Sequence, residues 1–393
     1  MKLFRKIIFW LHLCAGVFAG VVVLIMSVTG VTLTYEKQML EWADLRGYRS
    51  AAAGAGGSHA ERLPISALLA RVQAQRGALP SSIIVRPDPA DPVAFPYGRE
   101  APLYVDPYTG AVLGQGATGL RSFFRFITDW HRWLGTSEEN RAVGRSITGA
   151  CNLAFLFIVV SGIYLWWPAT LRWPNVKAII LFRGGLSGKA RDFNWHNVIG
   201  FWSMLSLFFV ILGATVVSYP WASDLVYRSL GEDPPARPVP AGPAGGGSAP
   251  AAAPSDEVSL DGVDELFARA GEIAPGWKRI TLTMPKSNEA PLTFAIDEGS
   301  GGQPQLRSTL TLDRATGSVV RWEKFSDATP GRRLRTWLRF IHTGEAGGIA
   351  GQTLAGVVSF GAIFLVYTGF ALTLRRFTAW VRRRRGRVEE LSS

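Results

Sequence analysis

Four long stretches of this chain contain no Lys, Arg, Asp or Glu: residues 7–35, 146–167, 195–223 and 347–374. Each exceeds the roughly 20 residues that a helix needs to cross hydrocarbon. With 48% hydrophobic residues gathered into such runs rather than spread evenly, the chain reads as a membrane protein. Four crossings place both termini on one side.

Basic residues choose the side, because Lys and Arg flank the cytoplasmic ends of membrane helices. Lys2, Arg5 and Lys6 precede the first span; Arg172, Lys177, Arg183, Lys189 and Arg191 lie between the second and third; Arg375, Arg376, Arg382 to Arg385 and Arg387 follow the fourth. The termini are therefore expected in the cytoplasm. These basic residues outnumber the whole net charge of +12, so topology and anionic lipid account for it and a nucleic-acid partner is not expected. The start resembles a signal peptide, but its apolar run is about twice the usual 7–15 residues, and residues 32–36 make a poor cleavage site. A retained first helix is expected. Cys14 and Cys151 fall in or beside spans and give no disulfide framework.

The chain reads as one unit used twice. Both outside regions open on a flexible linker, 47–60 and 231–255, continue with a short helical pattern, 65–76 and 263–273, and end in β-alternation. Each closes on an Asp-x-x-Thr-Gly turn, Asp106 to Gly110 and Asp313 to Gly317, 207 residues apart. The same offset carries Gly144, Gly149 and Gly162 onto Gly351, Gly356 and Gly369, while an offset of 184 carries His12, Gly16 and Tyr35 onto His196, Gly200 and Tyr219. The expected architecture is an α-helical integral membrane protein whose four transmembrane helices arise by tandem duplication, with two small α+β domains. Its segments are a first span (1–35), a first outside domain (36–120), an amphipathic helix and second span (121–167), a cytoplasmic loop (168–193), a third span (194–223), a second outside domain (224–330), an amphipathic helix and fourth span (331–376) and a basic tail (377–393). Both copies run in the same direction, so their pseudo-twofold axis lies along the membrane normal and equivalent positions share a depth.

Of the five histidines, His59 lies in a Gly/Ala/Ser linker, where water contact is expected. His12 and His196 are repeat equivalents near the cytoplasmic ends of their helices; His131 and His342 both precede inward-going spans. An ionisable group in or beside a span is a functional candidate, with an interfacial or helix-bonding histidine as the plain alternative. Symmetric pairing weighs against the plain alternative. Structural zinc wants four protein ligands, whereas haem supplies four nitrogens itself and needs two axial ones, so bis-histidine haem is the sharper fit. Gly16, Gly20 and Gly200 lie one or two turns from a histidine, on the face a flat porphyrin would approach, although ordinary small-residue packing would also put glycines there. Trp10, Trp130, Trp133, Trp195 and Trp337 could wall a haem or form an interfacial belt. Arg121, Arg125, Arg132 and Arg339 are candidate partners for haem propionates. His131 and His342 are not in strict repeat register: the segment Arg125-Phe126-Ile127 recurs as Arg339-Phe340-Ile341, and the second copy reaches its histidine sooner.

These pieces together resemble the PepSY-associated transmembrane helix family of bacterial inner-membrane proteins, which includes reductases of ferric siderophores. The matching motifs are His131-Arg-Trp-Leu-Gly135, His342-Thr-Gly-Glu-Ala-Gly-Gly348, Arg191-Asp-Phe-Asn-Trp-His196-Asn-Val-Ile-Gly200, Ser161-Gly162 with Trp166-Trp167-Pro168, and the two turns. The resemblance implies a di-haem electron conduit, with two haem b held by His12, His131, His196 and His342, that reduces a ferric siderophore or other ferric chelate in the periplasm. Its electrons would come from quinol or a separate cytoplasmic flavoprotein. The segment 184–190 has the wrong Gly spacing for a phosphate loop and is read as a basic loop. Two other classes stay open: a non-enzymatic membrane-anchored binding or regulatory module, and a transporter, the latter disfavoured because no carboxylate or lysine lies within the spans.

Overall fold

A computed structural model describes residues 2–50, 61–98, 100–168, 170, 172–236, 260, 262–285 and 287–392. His59 and most of both linkers lie outside the described residues. The helices are α1 (Lys2–Leu33), α2 (Glu36–Arg46), α3 (Ile65–Arg76), α4 (Thr118–Trp133), α5 (Arg141–Trp166), α6 (Trp173–Ile180), α7 (Gly188–Ser218), α8 (Pro220–Ser229), α9 (Val263–Ile273), α10 (Pro330–His342) and α11 (Gly348–Ser392). The strands are β1 (Ser82–Val85), β2 (Val93–Phe95), β3 (Leu103–Val105), β4 (Val112–Gly114), β5 (Arg279–Thr283), β6 (Leu292–Asp297), β7 (Arg307–Leu312) and β8 (Val319–Lys324). They divide into two compact units: Met1–Thr34, Phe124–Gly231 and Leu334–Ser393 form a helical unit, and Tyr35–Phe123 with Glu232–Arg333 form a sheet unit.

The helical unit contains four helices long and apolar enough to cross a membrane. Helices α1 and α7 each pack on both α5 and α11, so the repeat-equivalent helices occupy opposite corners of the bundle. Val159, Leu207, Ile211, Val358 and Ala362 fill its centre. Polar side chains buried there are paired: the Asn152 amide donates to Thr215 Oγ1 at 2.8 Å, and fully buried Asp192 takes Arg191 at 2.8 Å and Arg375 at 3.2 Å, tying α7 to α11. The two inward spans enter through equivalent tight turns that only glycine permits. A Cβ on Gly144 would lie 2.3 Å from the Trp133 carbonyl, and one on Gly351 the same distance from the Gly344 carbonyl.

In the sheet unit the two outside segments join edge to edge. All eight strands form one antiparallel sheet in the order β4-β3-β2-β1-β5-β6-β7-β8, its midline being the pairing of Ser82 to Val85 with Thr283 to Ile280. A single core runs beneath both halves, including Leu68, Val72, Ile83 and Phe95 from the first and Phe267, Ile280, Phe294 and Leu310 from the second. Such sharing is expected, because four short strands alone bury little apolar surface. Polar groups cross the midline too. Asp264 of α9 accepts from the Ser66 hydroxyl at 3.0 Å and from backbone N–H groups at the start of α3, doing an N-cap's work from the other half. Both Asp-x-x-Thr-Gly turns form alike. The Asp106 and Asp313 carboxylates accept from the following backbone, with Gly110 and Gly317 at φ 69° and 65°.

Glu41 on α2 clamps the midline, accepting from Arg86 at 2.9 Å and Arg279 at 2.8 Å. Burial alone would raise its pKa; attraction to Arg279 and Arg86 outweighs this and holds the carboxyl below its ordinary 4.5. A carboxyl depressed on folding adds stability above its unfolded pKa and loses it as pH falls through the folded value. Glu41→Gln should therefore lower the melting temperature of the purified chain at neutral pH and shrink the loss of stability between about pH 5 and pH 3.

Candidate functional site

Four imidazoles stand in the helical unit as two couples, and each is seated by the same device. The Nδ1 of His12 lies 2.8 Å from Ser161 Oγ, that of His196 2.9 Å from Thr368 Oγ1, that of His131 2.9 Å from Thr29 Oγ1, and that of His342 2.9 Å from the Val210 carbonyl oxygen. The three hydroxyls already donate their protons along their own helices, to the Ile158, Phe364 and Ile25 carbonyls. A carbonyl can only accept, so His342 Nδ1 carries the hydrogen and its Nε2 keeps the lone pair; a hydroxyl that donates along its own helix accepts from its histidine in the same way. Among the described residues none of the four Nε2 atoms has a hydrogen-bond partner. A neutral imidazole fixed in that tautomer is a metal ligand.

A glycine follows each of those hydroxyls. A Cβ on Gly162, Gly369 or Gly30 would stand 3.5, 3.8 or 3.5 Å from the Cε1 of His12, His196 or His131, in ordinary van der Waals contact, so each ring lies directly against its glycine. The hydroxyl–glycine dipeptides Thr29-Gly30, Ser161-Gly162 and Thr368-Gly369 are thus three copies of one seat. Sequence reasoning noted the duplicated glycines and quoted Ser161-Gly162 as a motif without giving either a role, and it passed over Thr29 and Thr368. The legible signal was a hydroxyl beside glycine in an apolar helix, recurring at the repeat offset.

His131 and His342 face each other with ring centroids 6.3 Å apart. A metal–imidazole bond is about 2.0 Å, so imidazoles on opposite sides of one metal have centroids roughly 6 Å apart. This couple is spaced for a shared ion. Beside it, Arg132 feels the positive charge of Arg145, Arg339 and Arg141, offset in part by Asp129, a net concentration of positive charge suited to carboxylates. Arg125 is exposed. Arg121 lies in the sheet unit, where it pairs with the buried Asp44 carboxylate and approaches the Tyr104 hydroxyl. Its charge is used in holding that unit together.

His12 and His196 line one cavity of about 1010 Å³. That is at the top of the range of about 300–1,000 Å³ for cofactor and ligand sites. Gly16, Gly162, Gly200 and Gly369 lie in its wall, and a Cβ on Gly16 would meet nothing within 4 Å, the kind of cradle a flat group needs. Gly20 is different, since the Phe370 ring covers it 2.6 Å from where a Cβ would stand. Lys6, Lys189 and Arg376 supply cations to the same cavity, and Trp166 brings a buried indole N–H without a partner among the described residues. An orphaned buried donor costs about 1–3 kcal/mol, which an acceptor in the cavity would relieve. Donor set, cradle and orphaned donor all fit a large flat group bearing anionic arms.

The two couples are far apart. Gly30, against His131, lies eighteen residues along α1 from His12, a rise of about 27 Å. Among the described residues no cluster of three or more His, Cys, Asp or Glu could hold a metal, so each couple offers two protein ligands.

The profile of the PepSY-associated TM region matches residues 9–376, nearly the whole chain. The chain belongs to this family. It is thus a PepSY-associated membrane protein with the four apolar helices that the sequence led us to expect, whereas the two small α+β domains expected beside them are joined in one antiparallel sheet over one core. No curated protein matches it.

Gly213 on α7 is tightly enclosed by α10, because a Cβ there would lie 2.3 Å from the Leu338 carbonyl and 2.9 Å from His342 Cβ. Gly213→Ala should destabilise the purified protein by about 1–3 kcal/mol, the usual cost of overpacking. Gly16→Ala should leave its melting temperature within a degree or so of the parent's, since nothing stands in the way.

Proposed function

We propose that this PepSY-associated protein carries electrons across the bacterial inner membrane through two b-type haems and reduces a ferric chelate, in the first instance a ferric siderophore, in the periplasm. His12 and His196 would hold one haem and His131 and His342 the other. The reading rests on one observation above all: four histidines in two couples, each with Nδ1 tied and Nε2 free, one couple at 6.3 Å. Haem supplies the one-electron chemistry, and the protein supplies ligation, orientation and a dry surround.

The chain's own residues have defined tasks in this scheme. Ser161, Thr368, Thr29 and the Val210 carbonyl hold the imidazoles in the ligating tautomer. Gly16 and Gly200 open the cavity wall. Arg132 and Arg339 at one couple, with Lys6 and Arg376 at the other, receive carboxylates. The basic ends of the spans put both termini in the cytoplasm, so the sheet unit is periplasmic and His131 and His342 are the outer couple. Reduction releases the metal because hard oxygen donors hold Fe(III) more tightly than Fe(II). Electrons enter from quinol or a separate flavoprotein.

Purified protein should show a reducible b-type spectrum with two haems per chain. His12→Ala or His196→Ala should remove one haem, and His131→Ala or His342→Ala the other. Mixed anaerobically with ferric chelates, the reduced protein should reoxidise with one electron lost per Fe(III) converted. Colourless protein that melts cooperatively would instead make the chain a membrane-anchored binding module, and haem protein reoxidised no faster than in buffer would leave the conduit without this substrate.

A further inference from the structure

The antiparallel sheet ends on two unlike edges. At one end β4 offers only Val112-Leu113-Gly114, irregularly paired with β3 and closed by a glycine at φ 127°. At the other, β8 runs for six residues, Val319–Lys324, and among the described residues it pairs with β7 alone. A strand with one free side presents a row of unpaired backbone N–H and C=O groups, a template for a further strand. The side chains there are apolar as well. Among the described residues of the sheet unit, the exposed large apolar side chains fall in two places: Tyr35, Met39 and Trp42 follow α1 closely and Phe123 is on α4, whereas Val319, Val320 and Trp322 are on β8. Apolar surface gathered on a free edge marks an interaction site.

The charges on β8 say which strand fits. When two copies of one strand pair antiparallel, opposed residues must both point their backbone groups at the partner or both away from it. The twofold axis then passes through a residue position, and the residue on it meets its own copy. An axis at Arg321 sets arginine against arginine, and one at Glu323 sets glutamate against glutamate; like charges directly opposed are unfavourable. An axis at Val320 falls on the bulge between β7 and β8 and leaves both charges unmatched. Only an axis at Trp322 sets each Arg321 opposite the partner's Glu323. Arg321 and Glu323 already pair along their own strand, so this register joins two ion pairs into a square of four charges. It also brings the two indoles together at the axis. Lys324, whose ammonium lies 4.3 Å from the Trp322 ring, comes opposite the partner's Val320 and can cover it with its methylene stem.

We propose that two copies of this chain pair through β8, antiparallel with Trp322 on the twofold axis, so that their sheets become one continuous sheet. The step repeats between chains what β1 and β5 do within one, where two strand edges meet at the midline. It stands independently of the haem reading.

The test is disulfide cross-linking of the full-length chain in native membranes, in a Cys14→Ser/Cys151→Ser background that removes both native thiols. Opposed residues of an antiparallel pair have Cα atoms about 4.5–5.5 Å apart, within the reach of a disulfide. Trp322→Cys should therefore give a band at twice 42.8 kDa under mild oxidant, and Arg321→Cys, which stands off the axis from its own copy, far less. Adding Arg321→Glu to Trp322→Cys should lower the cross-linking by about tenfold or more, and adding Glu323→Arg as well should restore it. Native mass spectrometry of the parent protein released from lipid nanodiscs, which needs no substitution, should show two chains. A single-chain mass there, cross-linking no greater for Trp322→Cys than for Arg321→Cys, or a charge reversal without effect overturns the proposal and leaves this edge to lipid or to a strand of another protein.

Discussion

The placing of all four histidines in this bundle depends on one ring nitrogen each. A buried imidazole has two nitrogens to satisfy, and an unpaired one in a low-dielectric surround is costly. Here each of the four rings commits Nδ1 to an oxygen fixed to a helix, and among the described residues Nε2 has no hydrogen-bond partner. The acceptors are themselves locked, three being hydroxyls spent on carbonyls within their own helices. Where the hydroxyls donate along their own helices, Nδ1 carries the hydrogen and Nε2 is the nitrogen with a lone pair to offer.

Duplication explains how so few residues achieve this. A pseudo-twofold axis through the bundle puts α1 opposite α7, so a histidine at one place on the repeat becomes a couple across the centre. The sheet unit has a twofold arrangement of its own, with β1 and β5 meeting at the midline and strands added outward from each. Its halves are bound by shared core, by Asp264 capping α3 from the opposite copy, and by Glu41 between two arginines. One stable scaffold is the result, although the repeats have drifted enough for Thr29 and Gly213 to differ.

Much of this was legible in the sequence, and the reasons are physical. Absence of charge over a span's length is a strong signal, and the repeat offsets tie His12 to His196 before any coordinates are known. The joining of the two outside segments was not legible. Pairing between Ile83 and Leu282 links strands separated by two spans and the linker 231–255, and local alternation gives a strand's faces but not its neighbour. The seats were half legible. Ser161-Gly162 and Thr368-Gly369 look like ordinary small-residue helix packing until the rings of His12 and His196 are seen against them. His342 was hardest, because it stands three residues after Arg339 where His131 stands six after Arg125, and only the three-dimensional arrangement shows that the two rings still meet. Arg121 illustrates the converse: a cation near a histidine in sequence whose charge is committed to Asp44.

The central claim is that both couples ligate iron through two imidazoles apiece. Near-infrared magnetic circular dichroism of the oxidised, purified protein measures this directly, since its charge-transfer bands distinguish the axial ligands of low-spin ferric haem. The account predicts bis-imidazole bands alone, with an intensity corresponding to two low-spin centres per chain. A high-spin band, a band from any other ligand pair, or intensity for a single centre would contradict it.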